Sequence, residues 1–381
     1  MRRIAFALCV LAGLSAAPSA GPARTQANAL VNGRLAYSHV DLEDVDGYAT
    51  LVVSDPTGAR RKAILTPGEG CGVFTDPDWS PAGTELAVTY ILGTRYSGFT
   101  SEIYVANAAG KHLHRPITQP DADRRSPAWS PDGSKLAYVQ GYDEIWIANA
   151  DGSGAHAVTQ GQDPTWSPDG ARIAFARTEE GDGDDTDLYV VGTDGSGLTQ
   201  LTAGPSRDRA PDWSPDGRQI VFQGGSVADQ SLYVVRPDGT GLRRLTHRRY
   251  DSAPSWSPDG RKIVFAGSGS VWTMDRDGRH QRNVTHTKPF AHNEEAPAWQ
   301  PVRVVAGRIQ GTPFDDYLVG GRGNDVIFGG LGRDVMLGGP GNDTFLARDG
   351  RVDLVEGGAG RDRAFSDRRD RLRGVERVHH P

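Results

Sequence analysis

The sequence predicts an all-β protein, a six-bladed β-propeller followed by a C-terminal parallel β-roll. Two tandem patterns carry that prediction. A Pro-x-Trp-Ser-Pro-Asp-Gly motif recurs from residue 77 to residue 301, and a nine-residue period rich in Gly and Asp begins at residue 311. The longer repeat marks a propeller and the nonapeptide marks a stacked coil of short strands.

The clearest copy of the first motif is Pro127-Ala128-Trp129-Ser130-Pro131-Asp132-Gly133. Others centre on Trp79, Trp166, Trp213 and Trp256, and a worn copy, Pro297-Ala298-Trp299-Gln300-Pro301, ends the series. The Trp-to-Trp steps are 50, 37, 47, 43 and 43 residues. Ser-Pro-Asp-Gly is turn chemistry: proline presets φ for the first corner, aspartate suits the second, and glycine tolerates the exit. The proline two residues before each Trp disfavours helix and leaves the Trp on a short extended piece. A β-branched or aromatic run follows each turn, as at residues 135–139 and 262–265, and a second run follows a loop, as at 144–147 and 231–234. An Asp-Gly turn then leads to a short strand ending in Leu-Thr or Val-Thr. Each unit is thus four antiparallel strands joined by hairpins, one propeller blade.

The ends of the array set the count. Three strands, at residues 34–37, 49–53 and 62–66, precede the first motif with no Trp strand ahead of them, and no blade follows Trp299. Together they complete one blade if the ring closes on itself, which also removes exposed sheet edges. Six blades are expected over residues 30–302. The repeats resemble the TolB-type six-bladed propeller family. That fold hosts periplasmic scaffolds, propeller parts of peptidases and a few lyases, so the resemblance implies the fold and leaves the function open.

Length and composition agree with two domains. At 381 residues and 37% hydrophobic content the chain buries a large core. Its net charge is −6, with acidic and basic residues mixed, which points away from a nucleic-acid surface. Only 5 of the 42 basic residues are Lys, a bias given no functional weight. Met1-Arg2-Arg3 and the apolar run over residues 4–17 have the form of a cleaved secretory signal, assigned to residues 1–29. That run is too short to span a bilayer. Its removal takes Cys9 and leaves Cys71 alone, so no intramolecular disulfide forms. The expectation is a monomer exported to the periplasm, envelope or exterior, with no membrane span.

The tail at residues 303–381 begins its period with a worn copy ending in Asp315-Asp316-Tyr317-Leu318-Val319. Three clean copies follow, with Gly320, Gly321, Gly323 and Asp325; then Gly329, Gly330, Gly332 and Asp334; then Gly338, Gly339, Gly341 and Asp343. After one inserted residue, Ala347, come weaker copies with Asp353 and Asp362. This is the Gly-Gly-x-Gly-x-Asp-x-apolar-x pattern of a calcium-binding parallel β-roll. Calcium takes six to eight hard oxygens, glycines let turns aim carbonyls at the ion, and each aspartate adds charge. The apolar eighth residues Leu318, Ile327, Met336, Phe345 and Val355 point inward to stack. Without the ion the stacked carboxylates repel, so binding and folding are coupled. The segment resembles the RTX, or haemolysin-type, calcium repeats. The resemblance implies Ca2+ ligands at the carbonyls of these glycines and at Asp325, Asp334 and Asp343 first, then at Asp316, Asp353 and Asp362. Residues 367–378 are expected to cap the roll.

No catalytic constellation is present: there is no Gly-x-Ser-x-Gly elbow, His-Glu-x-x-His or cysteine pair. His247, His286 and His292, with Glu294 and Glu295, sit in loops before Trp strands and could converge at a channel mouth around a transition metal. Solvated loop histidines are the plainer reading. The acidic loop 179–187 reads as a hydrated tip. The sequence therefore predicts a non-enzymatic secreted calcium-binding protein whose propeller face takes a protein or envelope ligand. The alternative is a metal-dependent polysaccharide lyase or hydrolase using those histidines.

Overall fold

The computed structural model describes residues 31–41, 49–67, 72–94, 98–118, 123–178, 185–226, 229–286, 292–305, 308–321 and 323–380. The signal segment, Cys71 and residues 179–184 of the acidic loop lie outside them. Among the described residues every regular element is a strand.

Four Trp units stand as separate four-stranded antiparallel sheets. In one, Gln162–Trp166, Arg172–Thr178, Thr186–Gly192 and Thr199–Gln200 lie side by side in chain order. The others open on Arg124–Trp129, Arg209–Trp213 and Asp251–Trp256. Six separate blades are not reproduced, because the strands expected in the other two belong to one twelve-stranded sheet. Two local features merge them. A single parallel bridge, Ala49 to Val73, joins Ala49–Ser54 to Gly72–Trp79. At the other edge, one long strand, His292–Val305, serves both the ring and the roll.

That strand is the latch the sequence called for. It pairs antiparallel with Val31–Asp41, setting Trp299 opposite Leu35 and Ala298 opposite Ala36. Trp299 is buried among Leu35, Tyr37, Val52, Val264, Val271 and Val284. Burying a large apolar side chain of this kind contributes about 1.5–3 kcal/mol.

The residue after each Trp explains why the last motif is worn. In an intact copy the Ser130 hydroxyl accepts the Lys135 N–H at 2.9 Å and donates to Asp132 at 2.6 Å, tying the turn to itself. Gln300 replaces that serine and reaches outward instead. Its Nε2 donates to the Gly83 carbonyl at 2.8 Å, and its Oε1 accepts the Arg34 N–H at 3.2 Å. The departure from the motif is the clasp of the ring.

Each motif Trp lies on a strand, as expected, but the residue before its proline departs from ordinary preference. Asp76, Ser126, Asp163, Ala210, Ala253 and Ala296, each immediately before the motif proline, have φ between 45° and 53°. A residue before proline ordinarily takes extended angles. Here each strand carries a register shift at this point, as between Gln162 and Thr165, and the bulge imposes the left-handed residue. These bulges ring a narrow central cavity of about 80 Å³ lined by the motif prolines.

Beyond the ring the chain winds into about four coils of a parallel solenoid. Successive nonapeptides alternate between two parallel sheets. One runs through Val326–Phe328, Thr344–Ala347 and Arg363–Ser366, and the other through Tyr317–Val319, Val335–Pro340 and Leu354–Ala359. Leu318, Ile327, Met336, Phe345 and Val355 are all fully buried in one core with Ile309 and Ala364. The stretch expected to cap the roll carries a further pair of rungs, Arg371–Arg373 and Arg377–His379, the second running one residue past it, with Leu372 and Val375 packed against the core. Phe314 of the first coil packs against the ring core cluster that contains Ala36 and Leu51.

Candidate metal centre

Because consecutive repeats alternate sides, the repeat aspartates form two columns. Asp316, Asp334 and Asp353 stack on one side, and Asp325, Asp343 and Asp362 on the other. After the first of each column, each carboxylate accepts the backbone N–H of the aspartate one coil earlier. Asp334 accepts from Asp316 at 2.9 Å and Asp353 from Asp334 at 2.8 Å. In the second column Asp343 accepts from Asp325 and Asp362 from Asp343, both at 2.8 Å. The inserted Ala347 widens the later steps from 18 to 19 residues without breaking either ladder.

This bond engages one oxygen of each acid. The other oxygens of Asp334, Asp343 and Asp362, and Oδ1 of Asp316, are buried with no donor. Those of Asp334, Asp343 and Asp362 face the first glycine of their own repeat. A methyl group at Gly320 would fall 2.8 Å from Asp325 Oδ2, and at Gly329 or Gly338 it would collide with Asp334 or Asp343 Oδ2. The turn glycines of successive coils stack closely, Gly339 over the Gly321 carbonyl, Gly341 over that of Gly323, Gly330 over that of Thr312 and Gly332 over that of Phe314. The turns of Asp316, Asp334, Asp343 and Asp362 therefore each offer an unpartnered carboxylate oxygen near backbone carbonyls, whereas Asp325 Oδ2 accepts the Gly321 N–H at 2.8 Å. A buried oxygen left without a donor costs about 1–3 kcal/mol, more when charged.

The electrostatics record that cost. Burial pushes Asp334 up to about 9, with Asp316, Asp353 and Asp349 adding to it. Asp353 is raised to about 6 by burial and by Asp370 and other acids nearby. Asp343 is raised by burial, then by Asp325 and Asp362. Asp316 reaches about 6 because burial outweighs the Arg34 guanidinium of the ring. Its copy is the worn one, and Thr312, standing where other copies have the second glycine, donates its hydroxyl to Asp316 Oδ2 at 2.9 Å.

The donor set fits a hard cation. Among the described residues no three His, Cys, Asp or Glu side chains converge, so any ion here must draw ligands from backbone carbonyls as well as carboxylates. That suits calcium and disfavours a transition metal. His247 and His286 are exposed, and neither lines the central cavity. Glu295 is exposed too, while the side chains of His292 and Glu294 lie outside the described residues.

Sequence reasoning missed two members of the ladders. Asp370 accepts from Asp353 N at 3.0 Å and Glu376 from Asp362 N at 2.6 Å, so the columns continue past the recognisable repeats. A carboxylate 17 or 14 residues on was the available signal, hidden because the spacing had drifted.

Comparison with known proteins agrees with both halves. Residues 160–306 match the TolB beta propeller domain family, and residues 310–345 match the RTX calcium-binding nonapeptide repeat. A protein TolB homolog of Chlorobium luteolum is 33% identical over 129 residues, covering 33% of this chain and 29% of that protein. An uncharacterized peptidase, YuxL, of Bacillus subtilis is 30% identical over 163 residues, 41% of this chain and 19% of that protein. The chain thus spans less than a third of the length of these relatives. The crystal structure of TolB from Acinetobacter baumannii superposes with a TM-score of 0.59 at 21% identity, covering 70% of this chain and 66% of that one, which supports the fold.

Proposed function

We propose, for a chain that joins a TolB-type β-propeller to RTX-type nonapeptide repeats, that it is a calcium-binding, envelope-associated scaffold without catalytic activity of its own. The ring over residues 30–302 presents a loop-lined face to a protein or envelope ligand. The roll over residues 303–381 holds Ca2+ and is stiffened by it. A secretory signal at residues 1–29 would deliver the chain to that location.

The observation that carries this reading is the pair of carboxylate ladders with buried, unpartnered oxygens. Calcium, when bound, supplies the positive charge those oxygens lack. Asp325, Asp334 and Asp343 would hold it first, with carbonyls of Gly320, Gly321, Gly323, Gly329, Gly330, Gly332, Gly338, Gly339 and Gly341. Asp353 and Asp362 extend the same columns. Asp316 is the weakest member, since Thr312 and Arg34 already offset its charge.

Isothermal titration with Ca2+, paired with circular dichroism in chelator, tests the reading. Saturable binding with a gain in thermal stability is expected. A melting curve identical in calcium and chelator would sink it.

A further inference from the structure

The two ends of the roll are finished differently. One hydrogen-bonded sheet runs from the ring strand His292–Val305 through Arg308–Gln310, Val326–Phe328, Thr344–Ala347 and Arg363–Ser366 to Arg377–His379. The other begins at Tyr317–Val319, which lies against the ring strand Val31–Asp41, and ends at Arg371–Arg373. At the ring end Val302 and Ile309 are buried in the roll's core, and Phe314 packs against the ring's. At the far end Arg377–His379 is exposed throughout, and the half-buried Leu372 and Val375 pack against the last layer. One end is thus sealed by folded protein, and the other is closed only by the roll's own final rungs.

Charge is distributed just as unequally. Lys62 of the ring pairs with Asp315 at 3.8 Å, while the other oxygen of Asp315 accepts the Arg333 N–H at 2.9 Å. Among the described residues no acid of the two ladders has an ion pair, from Asp325 and Asp334 out to Asp370 and Glu376. Arg34, held by Gln300 and by the Ala108 carbonyl, both at 3.3 Å, is a second ring cation near the first turn. Burial opposes its charge, and Asp316, Asp315 and Asp334, in that order, favour it. The Lys62 pair is exposed and contributes modestly, so the apolar seal does most of the holding.

A solenoid unit is stable only against an ordered neighbour. For the first turn the ring is that neighbour from the start. Every later turn adds carboxylates to a column that already repels them, so it needs a cation as well. We infer that the ring is the folding template of the roll. Its first turn, residues 311–319, is ordered without calcium, with Arg34 and Lys62 supplying positive charge there. Calcium then orders the remaining turns outward from the ring. The loading step rests on the calcium reading; the direction does not, because it is visible in chelator.

Hydrogen–deuterium exchange of the full chain tests this in chelator and across a series of free Ca2+ concentrations. Mass spectrometry would follow segments 308–319, 326–337, 344–356 and 363–379. In chelator, protection should fall from the first segment to the last by roughly tenfold or more. With rising calcium the later segments should gain protection in chain order. Phe314→Ala and Leu372→Ala each truncate a half-buried side chain, one at either end. The first should raise the calcium needed to protect every segment at least threefold, whereas the second should affect 363–379 alone. Arg34→Gln/Lys62→Gln should lower the protection of 308–319 in chelator at least threefold. Arg363→Gln/Arg373→Gln removes the same charge at the far end and should leave that segment unchanged. Segment 220–235 reports on the ring itself; if the first pair disturbs it, Lys62→Gln alone, at an exposed side chain, takes its place. Protection that is flat or rises toward the far end in chelator, or a Leu372→Ala effect reaching every segment, would overturn the direction. A first segment unprotected in chelator would overturn the ring as template, and equal behaviour of the two charge variants would overturn the role of Arg34 and Lys62. Calcium that alters no segment would defeat the calcium reading instead, leaving the chelator gradient to decide the direction.

Discussion

Asp334 accepts the backbone N–H of Asp316 at 2.9 Å through one carboxylate oxygen, while its other oxygen is buried with no donor. A single side chain thus links two coils and also leaves them short of positive charge. The pH behaviour of the roll follows from that arrangement. An unfolded aspartate titrates near 3.9, whereas folded Asp334 is held up to about 9 and Asp316 and Asp353 to about 6. The folded state binds protons more tightly than the unfolded one, so stability without calcium is greatest near pH 4 and declines as pH rises through 6 toward 9. Calcium favours the ionised carboxylates and opposes that decline. In chelator the roll should melt higher at pH 5.5 than at pH 8; in millimolar calcium the order should reverse. Circular dichroism melts at the two pH values decide it.

Asp343→Asn removes a buried charge while keeping an acceptor for the Asp325 N–H. In chelator the variant should be more stable than the parent, by about 1–3 kcal/mol if the orphaned oxygen carries its usual penalty. In calcium it should lose most of the calcium-dependent increment. Denaturant unfolding with and without calcium reads both signs, and a variant weaker than the parent under both conditions would count against the ladder as an ion site.

Glycine is not equally required along the turns. Gly339 has φ of +97°, and a methyl group there would stand 2.6 Å from the Gly321 carbonyl oxygen. Gly321 itself has open space around it. Gly339→Ala should cost about 1–3 kcal/mol through backbone strain, while Gly321→Ala should change stability by no more than about 0.5 kcal/mol. Thermal melts of the two variants in chelator would separate them.

At the ring, restoring the motif should do harm. Gln300→Ser brings the last copy into line with the others but strands the Gly83 carbonyl and the Arg34 N–H. The expected loss is about 1–3 kcal/mol. Trp299→Ala, which empties a buried site in the latch, should cost about 3–5 kcal/mol. Urea unfolding followed by tryptophan fluorescence would report on both, and an unaffected Gln300→Ser protein would show that the clasp contributes nothing.

Much of this architecture was legible in the sequence because both halves repeat. A nine-residue period fixes which side chains face inward, and all five apolar positions picked from it are fully buried. The aspartates were legible for the same reason. What escaped depends on partners distant in the chain. The left-handed residue before each motif proline is imposed by a bulge against the neighbouring strand, so local preference misjudges it. Gln300 looked like decay because its bonds go to Gly83 and Arg34, 217 and 266 residues away. Glu376 extends a column of aspartates with a longer side chain and a shorter spacing.

The pairing of Val31–Asp41 with His292–Val305 sets a timetable. Contacts such as Arg34 with Gln300 span 266 residues, so at ordinary translation rates the opening strand waits on the order of tens of seconds for its mate to be synthesised. Throughout that interval it offers a bare edge to any other extended chain. Holding that edge apart from its neighbours is the task the producing cell's chaperones inherit from this design.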